Sequence, residues 1–93
     1  MTKLKGNVRI AYTAPTERTK PVFEIRFVPY VGRLNAPARQ LQDEPELVDL
    51  LLLLGLTDDE ASRWVGKVKV EGLVLIPEVQ STEQKLKEGG LVV

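Results

Sequence analysis

The sequence predicts an α+β fold: three antiparallel strands in the order 2-1-3 with two helices packed on one face, in chain order ββααβ, and a short helix after the last strand. Three observations predict it. Residues 8–13 and 21–30 alternate apolar and polar side chains at period two, the signature of strands with one wet face. Two adjacent segments, opening at Asp43 and Thr57, place helix-start chemistry ahead of apolar residues at helical spacing. A short apolar run over 73–76 then stops at Pro77. Ninety-three residues, 43% hydrophobic and 28% charged, can build one core, with no room for separate substrate and cofactor domains. Residues 1–79 are expected to form that domain, and 80–93 a C-terminal tail with a short helix.

In the first strand Val8, Ile10 and Tyr12 share a face, with Arg9 and Ala11 on the other. Residues 14–20 are polar and hold Pro15, so they connect. In the second strand Phe23, Ile25 and Phe27 alternate with Glu24 and Arg26, and the two strands form a hairpin that buries both apolar sets together. Pro29 ends the pairing or sits on an unpaired edge. Residues 31–42, with Gly32, Asn35 and Pro37, read as an irregular connector anchored by Leu34 and Leu41.

The first helix takes Asp43 as N-cap, with Pro45 in its first turn and Glu46 three residues after the cap, and runs through Leu54 to Gly55. Leu47, Leu50, Leu51 and Leu54 share one face, while Val48, Leu52 and Leu53 fill most of the rest. The second helix starts at the Thr57-x-x-Glu60 capping box, repeats Ala61, Trp64, Val65 and Val68 at helical spacing, and ends near Glu71 at Gly72. Val68 and Val70 with the following Gly-Leu-Val-Leu-Ile also suit a tight hairpin turning at Glu71-Gly72. Residues 73–76 read as a third, largely covered strand. Ser81 with Gln84 points to one or two helical turns reaching about Glu88, ended by Gly89-Gly90.

Charge and composition narrow the function classes. Zero Cys removes disulfides and thiolate chemistry, and zero His removes the commonest metal ligand and acid/base at neutral pH. The zero net charge hides an asymmetry: residues 1–40 carry eight basic against two acidic side chains, a net +6, and residues 41–93 carry five basic against eleven acidic, a net −6. Asp43, Glu44, Glu46 and Asp49, like Asp58, Asp59 and Glu60, are explained by capping and the helix dipole. Trp64 and Tyr12 read as packed residues. No catalytic, metal or cofactor-binding residue is called, and the chain reads as a non-enzyme. The apolar run at 50–54 is far short of the roughly 20 residues that span a bilayer, and no signal-length stretch follows Met1 to Lys5, so a cytoplasmic setting away from membranes is expected.

The apolar surplus of the first helix carries the functional expectation. Two helices over three short strands cover one side of it, so Val48, Leu52 and Leu53 need another cover: the 33–42 connector, the 91–93 tail or a second copy of the chain. The leading expectation is a protein-interaction module that forms a homodimer, or meets another protein, through Val48, Leu52, Leu53, Leu91 and Val92 or through a sheet edge. The alternative is nucleic-acid binding through the basic hairpin and its flank, by Arg9, Arg18, Lys20, Arg26, Arg33 and Arg39. The two capped helices joined at Gly55-Leu56 resemble a helix-turn-helix. A recognition helix presents its first turn to phosphates, however, and this one presents Asp58, Asp59 and Glu60.

Overall fold

The computed structural model describes residues 3–32 and 36–92. Along them run β1 (Lys3–Thr13), β2 (Val22–Pro29), β3 (Arg39–Leu41), α1 (Glu44–Leu53), α2 (Asp58–Glu71), β4 (Leu73–Thr82) and α3 (Glu83–Glu88). The strands form one antiparallel sheet in the order β3-β2-β1-β4. The class is α+β as expected, but the sheet has four strands rather than three, so the order 2-1-3 is corrected. The added strand comes from the segment read as an irregular connector. Arg39–Leu41 is too short to show alternation, and it is held by pairing: Leu41 lies opposite Phe23 and is buried beside it.

The inward side of the sheet carries Val8, Ile10, Phe23, Ile25, Phe27, Val74 and Ile76, all buried, and the helices cover that side. Tyr12 packs its ring on Phe23 with centroids 4.9 Å apart. Before Val8, β1 extends back to Lys3, where the Lys-Leu-Lys-Gly-Asn sequence shows little strand propensity. Gly6 explains how this part pairs. A Cβ there would collide with the Val28 carbonyl oxygen and stand 2.7 Å from the Phe27 ring, so only glycine lets β2 close down on it. On the other side of β1 the register steps from Gly6↔Val79 to Val8↔Ile76, a bulge that places one extra residue in β4. Glu78 sits there at φ 54°, a left-handed conformation unusual outside glycine.

Of the two readings for 67–76, the helix followed by a strand is the one observed. Thr57 Oγ1 accepts from the Glu60 amide at 3.2 Å, and Glu60 Oε1 accepts from the Thr57 amide at 3.1 Å, completing the capping box. The helix runs to Glu71, and Gly72 at φ 82° donates its amide to the Val68 carbonyl at 2.7 Å. Asp43 is the N-cap of α1, yet its side chain makes no cap hydrogen bond. The α3 cap is Thr82 rather than Ser81: Thr82 Oγ1 accepts from the Lys85 amide at 3.2 Å, while Ser81 is still in β4 and buried.

Of residues 80–93, read from the sequence as a tail with a short helix, 80–82 continue β4 and 83–88 form α3, which packs on the core. Leu86 and Leu91 are fully buried and Val92 nearly so. At full burial each such leucine stabilises the fold by about 2 kcal/mol. The turn ending α3 sits directly on α1, since a Cβ on Gly89 would lie 2.6 Å from Leu50 Cδ1 and 3.5 Å from Leu53 Cδ2. Arg39 pins this turn by donating from Nη1 to the Gly89 carbonyl. The apolar circumference of α1 is thus covered in part by α2, by the sheet and by the last turn of the chain.

Candidate functional site

Of the five residues expected to form a partner surface, two are covered by the chain itself and three are covered in part. Leu91 and Val92 are core residues. Val48, Leu52 and Leu53 are half-buried and pack against the core. The chain itself thus supplies part of the cover that α1 was expected to take from the connector, the tail or a second copy. The sequence placed the surplus correctly on α1 but could not show that a six-residue helix and the turn after it fold back over it.

The open surface lies elsewhere, on the outer side of the sheet, where no described element covers Arg9, Glu24, Arg26, Val28, Leu73 or Leu75. The strand register sets its layout. Leu75 of β4, Arg9 of β1 and Arg26 of β2 form one row, and Leu73, Ala11, Glu24 and Gln40 form the next. Leu73 is 50% and Leu75 51% exposed. The 73–76 run was read as a largely covered strand because its apolar residues do not alternate with polar ones. In fact Val74 and Ile76 face the core while Leu73 and Leu75 face outward. The unbroken run was the available signal, but the same pattern also describes a strand covered on both faces.

β4 is also one of the two edge strands of the sheet, β3 being the other. The Tyr12 amide donates to the Gly72 carbonyl at 2.8 Å, and from this pair onward every second residue of β4 faces β1 with its backbone groups: Gly72, Val74 and Ile76. The amides and carbonyls of Leu73 and Leu75 consequently point away, along the open edge. Pro77 occupies the next outward position, where its missing N–H costs the sheet nothing. Above the edge, on the helix side, α2 presents Trp64. It shares a groove with Ile76, Pro77 and Glu78, and Lys67 Nζ stands 5.1 Å from its ring centroid. The other flank of α2 faces α1, where Lys69 Nζ meets Glu44 Oε1 at 3.3 Å.

Of the residues called for nucleic acid, Arg9 and Arg26 are brought together directly across strands β1 and β2, an arrangement of like charges that disfavours the pair. Arg26 turns aside, donating from Nε to the Ala36 carbonyl at 3.1 Å. Arg18 and Lys20 are exposed in the β1–β2 connection, which Thr16 organises by accepting from the amides of Arg18 and Thr19 at 3.2 and 3.1 Å. Arg39 is half-buried and engaged with Gly89. Arg33 lies outside the described residues, as do Leu34 and Val93.

Ser81 Oγ is buried without a hydrogen-bond partner, and the chain has no histidine or cysteine to activate or replace it. Among the described residues no three His, Cys, Asp or Glu side chains stand close enough to hold a metal ion. In the first turn of α2 Glu60 is engaged in the capping box, and its carboxyl is held below the usual glutamate range mainly by the Thr57 backbone amide, with the Thr57 hydroxyl and Arg63 acting in the same direction. No described helix is long and apolar enough to cross a membrane.

The chain is thus a small α+β protein with its helices on one side of an antiparallel sheet and, among the described residues, nothing covering the other. Comparisons with protein-family models, curated proteins and solved structures give no match.

Proposed function

We propose that this protein is a non-enzymatic interaction module that self-associates through its sheet edge. The observation that carries the reading is the unpaired outer edge of β4, with Leu73 and Leu75 half-exposed beside it. An edge of this kind offers a row of free backbone donors and acceptors, and adjoining apolar side chains add the burial that makes strand addition favourable. A homodimer is the simplest assembly in which the same edge serves as both surface and partner. The absence of Cys and His from the sequence supports a non-enzymatic role.

Sedimentation or light scattering at low and high salt tests the reading. The expected result is a species of twice the chain mass whose population rises with concentration. A chain that stays monomeric at high micromolar concentration would overturn it.

A second reading, nucleic-acid binding, is favoured by the opposed Arg9 and Arg26 on the open face, with Lys3 and Lys5 exposed farther along β1. Phosphates would relieve the repulsion between the two arginines and raise a salt-sensitive affinity. Against it, Phe23 and Phe27 face the core and cannot stack on bases. Gel retardation of mixed-sequence DNA and RNA at low salt, lost in an Arg9→Glu/Arg26→Glu variant, would favour this reading over self-association.

A further inference from the structure

Resting on the self-association reading, we infer the register of the dimer: two copies of β4 pair antiparallel about a two-fold axis at Val74, so that Leu73 of one copy lies opposite Leu75 of the other and the two sheets join into one. The occupant of the edge is a second copy of this chain, and two independent features of the surface point to it.

The first is the pattern of backbone groups. In antiparallel pairing only residues facing the partner exchange hydrogen bonds, and on the free side of β4 these are Leu73, Leu75 and Pro77. An axis at Leu75 would set Leu73 against Pro77, whose absent N–H leaves the Leu73 carbonyl without a donor. An axis at Val74 sets Leu73 against Leu75 twice, and every outward amide and carbonyl of both residues finds a partner. The same register stacks four half-exposed leucines on the outer face as two cross-strand pairs.

The second feature is charge complementarity on the helix side. Lys67 and Glu71 lie four residues apart on α2, 3.8 Å from each other and both about half-exposed, on the turns that follow Trp64 along the flank above β4. α2 leads into β4 through Gly72 and runs back above it until Trp64 stands over Ile76 and Pro77, so an axis at Val74 falls level with the stretch of α2 between Lys67 and Glu71. A two-fold axis there runs the two α2 helices antiparallel side by side. Antiparallel order brings Lys67 of each copy against Glu71 of the other, so the pattern is complementary to its own rotated image.

The test uses the full chain and two charge variants. Lys67→Glu alone places four carboxylates around the axis, and Glu71→Lys alone places four ammonium groups there; each is expected to weaken its own homodimer at least tenfold in sedimentation. Mixing the two variants, one carrying an isotopic mass label, is expected to restore dimer as the mixed species, read by native mass spectrometry, with the preference fading at high salt. The ion pair within each monomer cannot produce this selection between copies. In parallel, Leu75→Pro removes an outward amide that no monomer bond uses, and is expected to yield a folded monomer by circular dichroism. If that variant does not fold, Leu75→Lys provides the same readout. A wild-type chain that is monomeric at high micromolar concentration overturns the register together with the self-association on which it rests. A wild-type dimer whose variants mix statistically overturns the register alone.

Discussion

The hydroxyl of Tyr30 accepts a hydrogen bond from the amide of Glu78 at 2.9 Å, tying the end of β2 to the bulge of β4 across the whole width of β1. The same hydroxyl donates to Asn7 Oδ1 at 2.7 Å, and the Tyr30 amide donates to the Lys5 carbonyl at 3.0 Å. A bulge leaves a backbone amide without its ladder partner, and here a side chain from two strands away supplies one. The left-handed Glu78 is held in place from outside its own strand.

Tyr30→Phe removes both bonds of that hydroxyl and keeps the ring. Because Tyr30 is about half-exposed, water replaces part of what is lost, and the expected destabilisation is about 1 kcal/mol. A urea titration against the wild type measures it. Unchanged midpoints would mean that the bulge holds itself.

Gly6→Ala tests the close approach of β2. The added methyl would collide with a backbone carbonyl and a buried ring, neither of which moves freely, and overpacking of this kind costs about 2 kcal/mol. Gly66→Ala is the control: a Cβ there meets nothing within 4 Å, and within a helix interior alanine is expected to stabilise by about 0.5 to 1 kcal/mol. Thermal melts of the two variants should move in opposite directions.

Loss of the Thr57 side-chain cap by Thr57→Ala is expected to cost about 1 kcal/mol. The pH dependence belongs to Glu60. Its folded carboxyl titrates below the unfolded one, so its contribution is present above the ordinary glutamate range and disappears as pH falls through the folded value. The stability gap between wild type and Glu60→Gln should therefore be level near neutrality and narrow in acid. Chemical denaturation at a series of pH values checks the sign, and a gap that widens in acid would contradict it.

Leu91→Ala should be among the most damaging single changes, at about 3 kcal/mol, because it empties a fully buried site under the last turn. Hydrogen exchange should at the same time rise in α1, whose Leu50 and Leu53 lose the chain that presses on them. Exchange confined to residues after Thr82 would show instead that α1 does not depend on this cover.

The periodic parts of the fold were legible in the residues themselves. Phe23, Ile25 and Phe27 announce their strand and its buried side, and Thr57 with Glu60 marks a helix start at the right residue. What escaped was decided by partners distant in sequence. Arg39–Leu41 is a strand only because β2 lies beside it, and Lys3 to Asn7 only because Gly6 admits Phe27 and Val28. The outward leucines of β4 were hidden by their own hydrophobicity: an apolar run reads as covered on both faces, and the residues cannot say that nothing lies above one of them. How far the chain covers the surplus on α1 was hidden for the converse reason. Its cover, α3 and the turn at Gly89, is too short to carry a periodic signal, and the contact it makes is written in the absence of a side chain.

The central position of β1 bears on how the chain reaches this structure. Its pairing with β2 closes a short hairpin, which forms in about microseconds, but its pairing with β4 joins Lys3 to Thr82 and Ala11 to Leu73 across most of the polypeptide. That second seam must wait for two helices to fall into place, and its large loop entropy is spent before any reward arrives. Until then the hairpin offers a bare flank to every other nascent molecule nearby, so refolding yield should decline as protein concentration rises, even under conditions where the finished protein stays in solution.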